Sequence, residues 1–226
     1  MAVVIPTLNE ARYLPGLLSD LARVRVPAEV VVADGGSDDE TVDRARAAGA
    51  RVVRAPRGRG RQLNAGARVS RTPWICFLHA DVRLNDAARG DLERTVRRGG
   101  VGAAVWRLRI VGRHPLYRLV ELGAAIRQHL AGLPYGDQGL LVHRALFDAV
   151  GGFDEVEVME DVGVVRRLRR RTRITRFASA LQVSARRWER EGILRCTLRN
   201  AALLMAYRVG VAPSRLAAWY RPLPHD

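Results

Sequence analysis

His79-Ala80-Asp81 directly follows the apolar run Trp74–Leu78, and Asp34-Gly35-Gly36-Ser37-Asp38-Asp39 follows the run Val30–Ala33. Each run reads as a buried strand that delivers a carboxylate to its own C-terminal end, the edge at which open α/β sheets bind ligands. Two such acids suit a metal-bound phosphate with the base and sugar of a nucleotide nearby. Mg²⁺ or Mn²⁺ takes one or two carboxylates and completes its shell with substrate phosphates, and Asp81 supplies one carboxylate. Period-two alternation puts His79 on the same side as Asp81. His79 is then either a second ligand or a surface packed against the nucleotide.

Other segments carry polar groups at similar junctions. Pro6-Thr7-Leu8-Asn9-Glu10 joins a first strand to a helix. Thr7 and Asn9 offer hydrogen bonds to a base or ribose, or simply cap the helix. Gly35 and Gly36 allow a sharp turn and close approach to a ligand beside Asp34, while Ser37, Asp38 and Asp39 read as caps of the next helix. Arg57-Gly58-Arg59-Gly60-Arg61-Gln62-Leu63-Asn64 is a Gly- and Arg-rich loop entering a helix, suited to phosphate. Arg61 and Asn64 share one helical face and are the expected contacts, with Arg57 and Arg59 read as solvated. Asp137 and Gln138, between Gly136 and Gly139, offer a sugar contact or a structural turn. Glu160-Asp161 opens a helix, which by itself only complements the helix dipole. Ser184-Ala185-Arg186-Arg187-Trp188 sets a guanidinium beside an indole, to clamp a pyrophosphate, stack on a sugar, or form a surface pair.

The elements that must position these groups alternate. Strand patterns at Val3–Ile5, Val30–Ala33, Arg51–Arg54 and Trp74–Leu78 enclose helical patterns over 10–23, 39–48 and 62–69. This spacing reads as βαβ units on a parallel sheet. Asp86–Arg98 is a fourth helix closed by Gly99-Gly100. Beyond it follow a strand over 103–111 with Arg107 and Arg109 on one face, an apolar-patterned helix over 115–130, short strands at 140–143 and 174–177, a helix over 160–171 and an amphipathic helix over 193–209. The Pro-containing tail after Pro213 predicts little regular structure. The expected division is a domain over 1–190, with a nucleotide-binding half to residue 100 and an acceptor and catalytic half beyond, followed by the amphipathic helix and tail over 191–226.

At 226 residues and 48% hydrophobic, the chain can bury a sizeable core, and its net charge of +15 comes from 38 basic residues that are all Arg. Such charge favours anionic partners. The Arg residues are scattered, and neither an RNA-binding signature nor a helix-turn-helix pattern is visible, so no specific nucleic-acid partner is expected. Two cysteines, one in a strand pattern, argue against a structural disulfide. A strand at the first residues leaves no room for a signal peptide, and no run approaches the roughly 20 apolar residues of a membrane span. A cytoplasmic location is expected, with a peripheral position on the inner face of a membrane as its variant. The helices over 115–130 and 193–209 either rest on an anionic membrane, cover the sheet, or form a homodimer contact.

Taken in order, I-P-T-L-N-E, A-D-G-G-S-D-D-E-T, G-R-Q-L-N-A-G, F-L-H-A-D, G-G-F-D and M-E-D resemble the family 2 glycosyltransferases over about Val3 to Trp188. H-A-D with Y-G-D-Q-G is more similar to a small bacterial subgroup found near radical-SAM genes. The resemblance implies a GT-A type, Rossmann-like α/β fold with a central mostly parallel sheet flanked by helices. It places Pro6, Thr7, Asn9, Glu10 and Asp34 at the nucleotide; Gly35, Arg61, Asn64 and Ala80 join them as candidate nucleotide-sugar contacts from their positions in the motifs above. Asp81 stands at the last acid of the family's D-x-D motif and His79 where the first acid usually is. Asp161 matches the general base of inverting members, with Glu160 adjacent, and Asp137, Gln138, Arg187 and Trp188 are left for acceptor or pyrophosphate. Ser184 replaces the Gln of the Q-x-x-R-W motif of processive members, which argues against a polysaccharide synthase.

The expected activity is transfer of a sugar from a nucleoside diphosphate sugar, UDP-linked foremost, to a hydroxyl of a small-molecule or lipid acceptor. It is expected to be inverting and assisted by Mn²⁺ or Mg²⁺. A silent nucleotide-sugar sensor, a nucleotidyltransferase and a basic nucleic-acid-binding protein are the rival readings.

Overall fold

The computed structural model describes residues 1–130 and 136–220. In chain order the elements are β1 (Ala2–Thr7), α1 (Leu14–Leu21), β2 (Glu29–Asp34), α2 (Thr41–Ala47), β3 (Arg51–Arg54), α3 (Arg59–Arg68) and β4 (Trp74–Phe77). There follow β5 (Val82–Arg83), α4 (Asp86–Arg98), β6 (Ala103–Val111), α5 (Leu116–Leu130), a 3₁₀ turn (Gly136–Gln138), β7 (Leu140–His143) and α6 (Arg144–Ala149). The chain continues through α7 (Glu160–Arg169), β8 (Ile174–Ser184), α8 (Arg186–Glu191), α9 (Ile193–Arg208) and α10 (Pro213–Ala217).

All eight strands form one sheet in the order β3-β2-β1-β4-β7-β6-β8-β5. β3, β2, β1 and β4 run parallel. β7 is antiparallel to both β4 and β6, so β6 runs with β4, and β8 is parallel to β6. Six strands therefore point one way, and their C-terminal ends share one edge. β7 starts at that edge, with Leu140 opposite Phe77, so the turn that precedes it lies beside the residues that follow β4. The pairing of β4 with β7 makes the sheet continuous across residue 100.

Alternation along the strands sorts side chains onto two faces. Val3, Ile5, Val32, Trp74 and Cys76 join the core beneath α1, α2 and α4. Val4, Val31, Ile75 and Phe77 face the core that holds Leu63 of α3, Phe147 of α6 and Val164 of α7. β1, β2 and β4 are covered on both sides, which is why their sequences are unbroken apolar runs.

Several expected boundaries move. α1 begins at Leu14 rather than near Glu10: residues 11–13 form a turn, and Pro15, which lacks an N–H, sits in the first helical turn. α3 begins at Arg59, before Gln62. β8 runs on to Ser184 instead of stopping at Phe177, since it is paired along β6 as far as Val111. The tail is not irregular after Pro213: Pro213 sits in the first turn of α10, a position that suits its fixed φ, and Leu216 is fully buried near Leu203 and Val158. The tail beyond Tyr220 and Tyr135 of the Y-G-D-Q-G motif lie outside the described residues.

Candidate active site

A cavity of about 1120 Å³ opens at the C-terminal edge of the sheet. That exceeds the ~300–1,000 Å³ usual for a small-molecule pocket. Pro6, Thr7, Asn9 and Glu10 line it from the end of β1, and His79, Ala80 and Asp81 from the end of β4. Asp137 enters from the 3₁₀ turn, Glu160 and Asp161 from the start of α7, and Arg187 and Trp188 from α8.

The loop after β1 is held by its neighbour after β2. Ser37 Oγ accepts from the Asn9 N–H at 2.9 Å, Thr41 Oγ1 from Glu10 N–H at 2.8 Å, and Asp39 Oδ2 from Ala11 N–H at 3.0 Å. Asn9 Oδ1 in turn accepts from the Asp38 N–H at 2.9 Å. Asp34 is buried and accepts from Thr7 Oγ1 at 3.2 Å, the Gly36 and Ser37 N–H groups at 2.9 and 3.0 Å, and Ser37 Oγ at 2.5 Å. Asp34 and Gly35 thus shape this loop from behind and do not line the cavity.

The Arg-rich loop behaves differently from expectation. Arg61 is exposed and lies 3.8 Å from Glu155. Asn64 is buried and exchanges two hydrogen bonds with the backbone of Phe153, both 2.9 Å, which fixes the Gly-Gly-Phe-Asp turn to α3. Neither lines the cavity; Arg59 does, 3.9 Å from Glu160. The Arg59 side chain remains 47% exposed; against the desolvation of its guanidinium, the neighbouring Tyr220, Glu160 and Asp161 hold its pKa above the usual guanidinium range. The sequence signal was present, since helix residues at positions 59 and 62 share a face, but it pointed at the wrong register until Gly58 was known to end the loop. Gln62 donates to the carbonyls of Thr7 at 2.7 Å and Ala33 at 2.9 Å and so pins α3 to the ends of β1 and β2.

Arg186, not singled out in the sequence, organises the far wall. Its Nη1 and Nη2 donate to Glu10 at 2.9 and 2.6 Å, and its Nε lies 3.0 Å from Asp81 Oδ2. The guanidinium also stands 4.5 Å from the centre of the Tyr13 ring. Burial pushes the Glu10 carboxyl up, against the pull of Arg186. Arg187 lies over Tyr220 at 4.4 Å.

The acids at the start of α7 meet the turn before β7. Gly136 N–H donates to Asp161 Oδ2 at 2.6 Å, and Val162 N–H donates to Oδ1 at 2.8 Å. A Cβ on Gly136 would stand 2.9 Å from His79 Nε2 and 3.4 Å from Asp161 Oδ2, so only glycine lets these groups close around the turn. Met159, just before the acids, holds a left-handed φ of 68°, a conformation that concentrates at functional sites. Burial raises Glu160 to about 7, with the Asp161 charge adding to it and Arg59 opposing. Burial likewise raises Asp137 to about 6. Burial and the nearby Arg59 bring His79 down to about 4, leaving a neutral imidazole at pH 7. Gln138 is fully buried and donates to Gln128 at 3.2 Å, away from the cavity.

Three polar atoms on cavity residues are buried without a hydrogen-bond partner among the described residues: Asp137 Oδ1, Arg187 Nη1 and Trp188 Nε1. Buried polar groups are usually paired; here the two donors suit anionic or carbonyl oxygens of a ligand and the Asp137 oxygen a ligand hydroxyl. For a divalent cation, no cluster of three or more His, Cys, Asp or Glu stands close enough among the described residues. The chain's own donors are Asp81 and the neutral His79. They suit Mg²⁺ or Mn²⁺ only if phosphate oxygens complete the shell, as is common for these ions.

The sequence model of Glycosyl transferase family 2 matches residues 2–150, and the chain belongs to this family. A Mycobacterium tuberculosis protein described as an uncharacterised glycosyltransferase is 29% identical over 61% of this chain and 72% of its own length. A Mycobacterium tuberculosis PGL/p-HBAD biosynthesis glycosyltransferase is 36% identical, but over only 38% of this chain and 37% of its own. Among solved structures, glucosyl-3-phosphoglycerate synthase of Mycobacterium tuberculosis with Mn²⁺, UDP and phosphoglyceric acid aligns with TM-score 0.65 at 19% identity, over 93% of this chain and 78% of that one. Staphylococcus aureus TarS with UDP-GlcNAc aligns with TM-score 0.62 at 19% identity, over 81% of this chain and 58% of that one. The fold is the GT-A α/β fold of these glycosyltransferases, and the protein is a transferase of the glycosyltransferase class.

Proposed function

We propose that the protein transfers a sugar from a nucleoside diphosphate sugar to an acceptor hydroxyl, with inversion at the anomeric carbon. The observation that carries this reading is the meeting, in one cavity, of Asp161 fixed by two backbone N–H groups with Arg59, Arg187 and Asp81. Asp161 takes the proton of the acceptor hydroxyl as its oxygen bonds to the anomeric carbon. The bond from that carbon to the diphosphate oxygen breaks, and its electron pair leaves on the phosphate. Arg59 and Arg187 neutralise the growing charge. The unpaired Arg187 Nη1 suits a phosphate oxygen and the unpaired Asp137 Oδ1 a sugar hydroxyl. Pro6 and the backbone of the loop through Asn9 face the nucleoside, since the Thr7 hydroxyl is held by Asp34 and Asn9 Oδ1 by the Asp38 N–H. A divalent cation held by Asp81 with His79 would add positive charge at the departing diphosphate.

UDP is the first base to test, because both solved relatives above carry a uridine nucleotide. The nearer likeness to the bacterial subgroup beside radical-SAM genes rests on H-A-D and Y-G-D-Q-G alone. A peripheral location and a metal-dependent hexosyl transfer belong to the same proposal.

Calorimetric titration with UDP, GDP and their sugar conjugates, with and without Mn²⁺, tests the reading on the parent chain and Asp81→Ala. Binding of one nucleotide, strengthened by Mn²⁺ and weakened in Asp81→Ala, supports it. No binding to any of them overturns it. Binding without turnover against any hydroxyl acceptor favours the nucleotide-sugar sensor.

A further inference from the structure

We infer that α5 and α9 form a docking surface for an anionic lipid membrane. α5 turns Leu119, Leu122 and Ile126 outward, exposed by 62%, 56% and 48%. Their spacing of three and four residues stacks them on one helical face. α9 does the same with Leu194, Leu198 and Met205, and Val209 at its C-terminal cap follows them; the four are exposed by 64%, 68%, 58% and 79%. The opposite faces of both helices already serve the fold, through Tyr117 and Ala124 of α5 and Cys196, Leu203 and Leu204 of α9. The two helices contact one another. A single exposed Leu requires no explanation, but two periodic apolar stripes on touching helices mark an interaction surface.

Charge selects the occupant. α9 contains three Arg and no acid. The one acid of α5, Glu121, is turned inward, where it accepts from the Ile110 N–H at 2.6 Å and from Arg118 at 2.8 Å. Arg195 and Arg208 remain exposed beside Leu194 and Val209. α5 and α9 themselves expose no acid beside these guanidinium groups; the exposed Glu189 of α8, whose charge reaches Tyr117 of α5, stands at the edge. An apolar face on which Arg predominates fits acyl chains beneath anionic headgroups. A second copy of this chain would bring the same Arg residues and another net charge of +15 to the contact, which opposes self-association. No helix among the described residues is long and apolar enough to cross a membrane, so the contact would lie in the interfacial plane. Asn200 and Leu203, from the inner side of α9, line the large cavity. Resting on the transferase reading, the acceptor would then be a hydroxyl carried on a lipid.

Co-sedimentation with vesicles of phosphatidylglycerol and phosphatidylcholine, and of phosphatidylcholine alone, tests the surface. The full chain should bind only the anionic vesicles, roughly tenfold more weakly at high salt. Leu122→Ser combined with Leu198→Ser should cut binding by roughly tenfold, and so should Arg195→Ser combined with Arg208→Ser. No capture by anionic vesicles, equal capture by neutral ones, or capture untouched by the Leu substitutions would overturn the inference. So would a dimer that dissociates with the same Leu substitutions while vesicles capture nothing. UDP titration of the same samples reads the donor site separately, and its failure counts against the transferase reading alone.

Discussion

Asp161 is positioned by two N–H groups that face its two oxygens, so its side chain is fixed by backbone donors, with Arg59 near enough to feel its charge. Asp161→Asn keeps the volume and removes the base, at the cost of one of the two backbone N–H contacts, because the Asn amide offers a single acceptor oxygen. Transfer should fall by about 10²–10⁴-fold while nucleotide affinity, read by calorimetry, stays within a few-fold; retained transfer would remove Asp161 from the role. Glu160 makes a different prediction. Its folded pKa of about 7 lies above the ordinary 4.5, so the protonated form is the one the fold prefers. The stability this contributes is complete below pH 4.5 and is lost as pH rises through about 7. Glu160→Gln should therefore match the parent in thermal unfolding at pH 4 and exceed it at pH 8, by roughly 2–3 kcal/mol. Equal pH profiles would show that Glu160 is not held in a desolvated site. Arg186 and Arg59 show why residue-scale reading of the sequence was incomplete. Both lie in Arg-rich runs, where nothing in the residue type says which guanidinium points inward.

At the scale of elements, close packing decides which helices can approach the sheet. A Cβ on Gly66 would come within 2.4 Å of Val4 Cγ1, so α3 rests directly on β1. Gly66→Ala should cost about 1–3 kcal/mol in denaturant unfolding and displace Gln62, which holds the ends of β1 and β2. Asp20 plays a similar role between α1 and β5. It accepts from Arg83 at 2.6 and 2.9 Å and from the Leu84 N–H at 3.0 Å. Burial alone would raise its pKa, but these partners outweigh burial and hold it below 3.8. Its contribution is therefore present above pH 3.8 and lost as pH falls through the lowered value. Asp20→Ala should destabilise by about 2 kcal/mol at pH 7, with the gap closing in strong acid. Helix α4 and strands β3, β6 and β7 lie at the bounds their sequences predict, because each is delimited by local signals such as Asn85, whose side chain caps α4. α10 and the second half of β8 were not legible: one depends on Leu216 reaching Leu203, the other on a partner strand far away in sequence.

At the scale of the whole molecule, six strands deliver their ends to one edge, and the loops of both chain halves meet there. The alternation of β1 to β4 with their helices, α4, β6 and β7, the two-sided burial of β1, β2 and β4, and the acids after β4 and at α7 were determined by sequence, because apolar periodicity and turn chemistry are local properties; β5, α6, α8 and α10 were not. The outward apolar stripes of α5 and α9 were visible as amphipathic patterns, but not whether they faced the core. Only tertiary structure decided that, by already filling the core from their other sides. It also decided that Arg59 and Arg186 enter the cavity while Arg61, Asn64 and Gln138 turn away, and that Asp34 orders a loop from behind. These outcomes depend on strand order and helix rotation, which bring residues such as Glu10 and Arg186 together from opposite ends of the chain, and no local pattern encodes a contact over that separation.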